Sequence, residues 1–171
     1  CIRDSSASQV EIQSGIQFYD GITTAEIQEI LIRSASDLID LEHPNYQYAA
    51  ARLLLFSLRK QVFGRIHDHP LLIDHVKFNV DRGVYDSEIL TLYSEEEFNK
   101  LQGFIDHDRD YLFTYAGLRQ VVDKYLVQDR SSGELYESPQ FMYLLISAFI
   151  FSKYPKETRL DYVKKYYDAI S

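Results

Sequence analysis

The sequence predicts a mainly α fold with one small β-hairpin, and three observations lead to this prediction. The 171 residues include only seven glycines and four prolines, so few residues interrupt regular structure. Apolar residues recur at helical spacing along most of the chain, whereas residues 125–137 change to the pattern of a strand pair. With 46% hydrophobic residues, including 14 tyrosines and ten phenylalanines, the chain can bury a core and is not intrinsically disordered.

The first 64 residues carry signals for three helices. Capping boxes that begin at Ser8 and Thr23 predict two helix starts, because each places a glutamate three residues after a hydroxyl. The first helix is predicted to end at Gly21, and the second, which has one apolar face, at Pro44. The third is predicted from Asn45 to Gly64; it is apolar on nearly all sides, so we expect it to be central and buried.

Residues 67–70 form the predicted linker, and the rest of the chain is again mainly helical. The hairpin is predicted from two short runs, 125–129 and 134–137, on either side of a turn at 130–133. Ser138 and Pro139 mark the start of an apolar helix that should end near Tyr154. The other predicted helices cover residues 71–82, 87–93, 95–105 and 114–124, and a capping box at Ser94 opens the third of these. A last helix carries Leu160, Val163, Tyr166, Tyr167 and Ile170.

Charge and cysteine content restrict the function. The net charge of −8 disfavours binding to a nucleic-acid backbone or an anionic membrane. The longest nearly apolar run, residues 141–151, is shorter than the ~20 residues of a membrane span. Cys1 is the single cysteine, so an intrachain disulfide is excluded and a reducing, cytoplasmic location is expected. Because the first residue is Cys and not Met, we expect a processed chain or a piece of a longer protein.

Two histidine-containing segments were considered as catalytic or metal sites. His67 and His69, with His75 beyond them, could supply metal ligands, but no further Cys or His-Glu pair completes a set, and a solvated linker is the favoured interpretation. Residues 106–110, DHDRD, contain paired carboxylates around a histidine and an arginine, yet an ion-pair network at a helix end explains them without catalysis. No phosphate-loop, hydrolase or metalloprotease motif is present, so the sequence predicts no catalytic residue and no metal ligand.

A possible anion site remains. Thr23 and Thr24 follow Gly21 at a predicted helix N-terminus, where backbone N–H groups favour an anion. Arg59 and Lys60 lie near the end of the central helix. If that end packs near the threonines, the four side chains form a phosphate-binding corner; the alternative is that the basic residues only stabilise the C-terminus of their helix.

Seven segments, taken together and in this order, resemble one protein family. The family is the large (α) subunit of aerobic class Ia ribonucleotide reductase, and the resemblance covers its N-terminal part and essentially this whole chain. The segments are IQFYDGI (16–22), PNYQYAAAR (44–52), LRK (58–60), DHDRD (106–110), YLVQ (125–128), YESPQF (136–141) and TRLDYVK (158–164).

The resemblance implies a division of the chain near Arg65. Residues 1–64 would be the C-terminal part of an ATP-cone, the allosteric activity domain, and residues 65–171 the helical region that precedes the catalytic barrel. Thr24 and Lys60 match positions that contact ATP or dATP, the allosteric effectors. The cone's β-hairpin, with its Val-x-Lys-Arg-Asp-Gly type motif, and its first helix are not among the 171 residues, so this cone is incomplete.

The resemblance also implies a function. The whole enzyme makes deoxyribonucleotides from ribonucleoside diphosphates by radical chemistry, with a diiron-tyrosyl radical in a partner small (β) subunit. Expected partners are the rest of the large subunit, a second large subunit and the β subunit. The redox and radical cysteines are absent from these residues, so the fragment alone is predicted to be inactive. The alternatives are a helical interaction module that has lost nucleotide binding, and a DNA-associated regulator, which the charge of −8 disfavours.

Overall fold

The computed structural model describes residues 6–171, and this part of the chain consists of α-helices joined by turns and loops. Among these residues, no helix combines the length and the apolar character needed to cross a bilayer. A 3₁₀ turn covers His107–Leu112, and a π-helical turn covers Val121–Tyr125. The α-helices are α1 (Ala7–Gly15), α2 (Thr24–Asp37), α3 (Tyr46–Phe63), α4 (Leu72–Asp81), α5 (Glu88–Leu92), α6 (Glu95–Gln102), α7 (Tyr115–Gln120), α8 (Pro139–Ile150) and α9 (Arg159–Ile170).

The chain divides into two compact units. The first contains the described residues up to Leu58 together with Asp110–Tyr125. The second contains Arg59–Arg109 together with Leu126–Ser171. The division therefore falls within α3, and each unit is formed by two separate stretches of sequence.

In the first unit, α1 packs against α2. The moderate amphipathic pattern of α2 turns Ile32 and Ala35 inward, where both are at most 1% exposed. Leu54 and Leu55 are buried on α3, which agrees with the apolar character that the sequence predicts for this helix. Gly21 has a φ of +88° in the turn before α2, a backbone conformation that L side chains rarely adopt.

In the second unit, α4 packs against α6, and α9 packs against both α6 and α8. The long apolar side chains of these helices meet in one core, as expected for helices that each have an apolar face. α8 contributes most to it because its sequence, PQFMYLLISAFI, has no charged residue. The core residues are Leu72, Val76, Tyr93, Phe98, Leu101, Phe141, Leu144, Ala148, Val163 and Tyr167.

The predicted β-hairpin is wrong, although the prediction of a mainly α fold is right. Between Leu126 and Glu137 the chain reverses direction with a single antiparallel bridge, Gln128 to Leu135, and forms no strand. The π-helical turn continues to Tyr125, the first residue of the predicted strand. The N–H of Val127 donates to the Glu137 carboxylate at 2.9 Å instead of to an opposing carbonyl. Two backbone hydrogen bonds cross the reversal, from the Asp129 N–H to Glu134 at 2.9 Å and from the Tyr136 N–H to Val127 at 3.1 Å, but the side-chain acceptor prevents their extension into a ladder.

Helix starts agree with the sequence better than helix ends do. The capping boxes at Thr23 and Ser94 are both present. The box predicted at Ser8 is wrong, because α1 begins at Ala7, after an N-cap residue, Ser6, that makes no side-chain cap bond. α1 ends at Gly15 and not at Gly21, and α2 ends at Asp37, well before Pro44. Each of these helices therefore stops before the glycine or proline that was expected to end it.

Candidate functional site

Thr24, the first predicted nucleotide contact, is the first residue of α2 and is exposed. The preceding Thr23 caps the helix: its hydroxyl accepts a hydrogen bond from the N–H of Glu26 at 3.2 Å. The Glu26 carboxylate in turn accepts from the N–H of Thr23 at 2.8 Å and from its hydroxyl at 2.7 Å. Tyr19 also donates to this carboxylate, at 2.9 Å. Thr23 and Glu26 thus form the reciprocal hydrogen bonds of a capping box.

The electrostatics of this helix end bear on the predicted anion site. Backbone and side-chain hydrogen bonds from Thr23, followed by the one from Tyr19, lower the pKa of Glu26. The carboxylate is therefore ionised at neutral pH and places a negative charge beside the helix N-terminus, which disfavours a free anion there. Thr24 remains accessible beside it, so a nucleotide contact by Thr24 needs positive charge from elsewhere.

Lys60 and Arg59, at the end of α3, differ sharply in their surroundings. Lys60 is in the last turn and is exposed. Arg59 is only 2% exposed, and its guanidinium donates to the backbone carbonyl of His107 at 2.9 Å. Arg59 is thus part of the interior of the second unit. The sequence had instead suggested that this side chain binds phosphate. Thr24 belongs to the first unit and Lys60 to the second, and their convergence on one ligand stays a prediction.

The first unit contains a cavity of about 480 Å³ that the sequence did not reveal. α1, α2 and α3 each contribute to its wall, which is mainly apolar, with Glu11 and Arg52 as its charged members. Gln28 lies on the same helix as two lining residues and donates to the carbonyl of Leu53 at 2.9 Å, which ties α2 to α3. The other lining residues are Ala7, Val10, Ser14, Phe18, Ile27, Leu31, Ala49 and Leu53.

One histidine of the linker, His69, takes part in an aromatic cluster in the second unit. The rings of His69 and His107 stack with centroids 3.6 Å apart and planes 4° from parallel. Phe63 meets His69 edge-on at 5.5 Å, and Phe141 meets His107 at 5.4 Å. Burial, together with the charge of Arg59, lowers the pKa of His69 to about 4; burial, then the neighbouring His69 and Arg59, lowers the pKa of His107 to about 3.

These pKa values make both imidazoles neutral at physiological pH. Across residues 6–171, no group of three or more His, Cys, Asp and Glu side chains is arranged to hold a metal ion. The alternative of a metal site at His67 and His69 therefore has no ligand set among these residues, and His69 instead takes part in aromatic packing.

The DHDRD segment is held by ion pairs. Arg109 contacts Asp106 at 3.5 Å and Asp168 of α9 at 2.7 Å. Asp168 also pairs with Lys164, one turn earlier on α9. Because Arg109 is already paired with carboxylates, the segment fits an ion-pair network and not a catalytic site.

Comparison with known proteins identifies the two parts of the chain. Residues 3–61 match the ATP cone domain, and residues 111–171 match the all-alpha domain of ribonucleotide reductase. A helical chain that joins these two domains is characteristic of one class of protein, the large chain of ribonucleotide reductase. The chain belongs to the family of ribonucleoside-diphosphate reductase α subunits and corresponds to their N-terminal region.

Relatives from two bacteria and a bacteriophage show this similarity over nearly the whole chain. The α subunit 1 of Escherichia coli (strain K12) is 54% identical over 170 residues, 99% of this chain and 22% of that protein. The Haemophilus influenzae subunit is 57% identical over 166 residues, 97% of this chain and 22% of that protein. The Enterobacteria phage T4 subunit is 42% identical over 169 residues, 98% of this chain and 22% of that protein. The chain thus spans about a fifth of the length of these relatives.

Proposed function

We propose that this chain serves as the N-terminal segment of a ribonucleoside-diphosphate reductase large subunit, an oxidoreductase that makes deoxyribonucleotides for DNA synthesis. The observation that carries the proposal is the identity of 54% along 99% of the chain, which includes both matched domains. In this role, residues 1–64 act as part of the allosteric domain and residues 65–171 support the catalytic part of the subunit.

Within the allosteric part, we propose that Thr24 and Lys60 contact ATP or dATP. Two features support this. Thr24 presents a hydroxyl at the exposed start of α2, and Lys60 presents an exposed ammonium in the last turn of α3. An ammonium is a compact point charge suited to a phosphate group. Because Glu26 already places a carboxylate at the N-terminus of α2, an anionic ligand that contacts Thr24 needs a compensating cation, and we assign that role to Lys60.

The chemical step lies outside this chain. Reduction of a ribose 2′-hydroxyl takes two electrons, which a pair of thiols can supply, and the sequence has one cysteine. We propose that the redox and radical cysteines belong to the rest of the large subunit and that a small β subunit supplies a diiron-tyrosyl radical. The large subunit would form a homodimer in the cytoplasm, where cysteines stay reduced.

Calorimetry with ATP and dATP tests the allosteric proposal. The protein for this test is the chain ligated to, or co-expressed with, the upstream hairpin and first helix of a relative, which complete the cone. Lys60→Ala should weaken binding by about 1.5–3 kcal/mol, the range for a hydrogen bond to a charged group. Lys60→Arg should recover only part of the loss, because its planar fork differs from a compact ammonium.

Lys77→Ala is the matched control, since Lys77 is also an exposed lysine on a helix. It should leave affinity unchanged. Equal affinity in Lys60→Ala and the unsubstituted protein would remove Lys60 from the site.

One observation favours a second candidate function. The carboxylate of Glu26 caps α2 and places a negative charge at the N-terminus of this helix, which disfavours an anionic ligand. The second candidate is therefore a helical interaction module that binds no nucleotide. Absence of ATP and dATP binding in the completed cone would support this alternative and contradict the allosteric proposal.

A further inference from the structure

One face of α8 is apolar and uncovered. The helix contains no charged residue over Pro139–Ile150, and helices that are apolar on every side are normally buried on every side. In the second unit, Phe141, Leu144 and Ala148 are fully buried in the core, and Pro139 and Met142 in the first turn are buried as well. Toward the C-terminal end of the helix, the side opposite the core is open to solvent.

Three large side chains form this open side, which we call the α8 face. Ile146, Phe149 and Ile150 are 42%, 57% and 49% exposed. Their spacing of three and four residues places them on adjacent turns of one helix face. Exposed apolar residues are common singly, but three in one stripe on a charge-free helix indicate a surface that is buried in the functional protein.

Aromatic rings continue from the end of α8 onto α9. Phe151, the next residue after α8, stacks with Tyr162 at 5.7 Å and meets Tyr154 edge-on at 5.0 Å. Tyr154 and Tyr162 are both exposed by more than 40%. Tyrosines combine a large apolar ring with a polar hydroxyl, which is why they are enriched at interfaces. Lys165, with its ammonium 5.8 Å from the Tyr162 ring, adds a polar edge.

The family relationship identifies what covers this surface. About four-fifths of each α subunit related to this chain lies outside the residues matched here. A packing partner within the same polypeptide is always present, so it can keep a charge-free face permanently out of water. A transient partner leaves such a face exposed whenever it dissociates, and non-obligate interfaces are accordingly no more apolar than ordinary surface.

We propose that the α8 face is an intrasubunit packing surface, covered by the part of the large subunit that lies outside this chain. The proposal depends on membership of the family and does not depend on nucleotide binding by Thr24 or Lys60. A second copy of this chain and the β subunit are the competing occupants.

Co-purification distinguishes these occupants. The tagged remainder of the Haemophilus influenzae α subunit is co-expressed with this chain, untagged, and the amount of captured chain is measured. We expect capture of the unsubstituted chain and a loss of at least tenfold in capture for Phe149→Gln and for Ile146→Gln. Phe78→Gln is the matched control, because Phe78 is a phenylalanine of the same unit, also helical and 58% exposed; its capture should be unchanged.

Circular dichroism of each isolated variant shows whether the chain itself still folds, and we expect helical spectra because the replaced side chains are exposed. Capture of Phe149→Gln at the level of the unsubstituted chain, or no capture of the unsubstituted chain, would overturn the proposal. A dimer of the isolated chain that Phe149→Gln converts to monomer in sedimentation would also overturn it, in favour of a second copy as the occupant. Capture of the chain through the α8 face by the β subunit alone would overturn it in favour of that subunit.

Discussion

Neutral histidine side chains act as aromatic packing groups in the second unit. His69 and His107 stack face to face, and His75 lies with its ring 4.8 Å from that of Phe141. Burial lowers the pKa of His75 to about 4 as well. Each ring is therefore uncharged in the folded protein near pH 7, and protonation would place a cation among aromatic and apolar groups with few partners.

This arrangement predicts loss of stability on mild acidification. A histidine whose pKa is lower in the folded than in the unfolded protein binds fewer protons in the folded state. Its contribution to the free energy of unfolding is therefore complete above about pH 6.5 and is lost as the pH falls toward 4. His69→Phe keeps an aromatic ring but removes one titrating group, so its unfolding free energy should fall less between pH 6.5 and 4. Urea unfolding at several pH values measures the difference.

Comparison of the two proteins at pH 8, where all three histidines are neutral, gives the packing effect of the substitution itself. Identical pH dependence in His69→Phe and the unsubstituted chain would show that His69 does not titrate as its burial predicts.

A second residue-scale prediction concerns the ion pair of Arg159 and Glu97. Arg159 is 3% exposed; its Nε donates to Glu97 Oε1 at 2.8 Å and its Nη2 to Oε2 at 2.6 Å. Burial by itself would raise the pKa of Glu97, but hydrogen bonds from Arg159 and Ser94 overcome it and the pKa is lowered. Glu97→Gln should cost about 3–5 kcal/mol of unfolding free energy, because a buried guanidinium loses its counter-charge. Glu96→Gln, which removes an exposed pair with Lys100, should change stability little in the same denaturant titration.

The contacts of Arg59 and His69 could not be predicted from the sequence, because their partners are distant along the chain. The sequence places Thr24 at a helix start and Lys60 at a helix end, because capping and helix length are local properties. It does not show that Arg59 faces the carbonyl of His107, 48 residues away, or that His69 stacks on a ring 38 positions further along. Contacts at such separation depend on the packing of whole helices.

At the scale of secondary structure, local hydrogen bonds decide where the prediction succeeds. The starts of α2 and α6 are encoded by a hydroxyl and a glutamate three residues apart, and both predictions are confirmed. Where side chains compete with the backbone, prediction fails: the Glu137 carboxylate takes the N–H of Val127, so the predicted hairpin keeps only a bridge.

The cap of α2 gives a prediction at this scale. Thr23→Ala removes the acceptor of the Glu26 N–H and should lower unfolding free energy by about 1 kcal/mol, the usual value of an N-cap side chain. Ser6→Ala is the control, since Ser6 occupies the N-cap position of α1 without a side-chain cap bond. Guanidinium unfolding followed by circular dichroism measures both, and equal losses would show that the Thr23 bond contributes nothing.

At the scale of the whole molecule, the two units differ in how closely their helices pack against one another. The second unit has a continuous core of ten buried residues. The first has a cavity of about 480 Å³ among three helices, and Ile12 and Ile16 are 67% and 82% exposed at α1 and its C-cap. Side chains that line a cavity lack the dispersion and transfer energy that they would gain if the cavity were filled. The free energy for local opening should therefore be lower in the first unit.

Hydrogen exchange measured by mass spectrometry tests this difference. Amides of α1 and α2 should exchange faster than those of α4 and α8, because exchange follows the free energy of local unfolding. If the cavity takes the upstream hairpin and helix of the proposed cone, adding these two elements from a relative should slow exchange in α1 and α2. Exchange in α4 and α8 should not change, since neither helix lines the cavity. Equal protection of the four helices in the chain alone, or no slowing of α1 and α2 in the completed cone, would contradict the view that this cavity is the unfinished face of the allosteric domain.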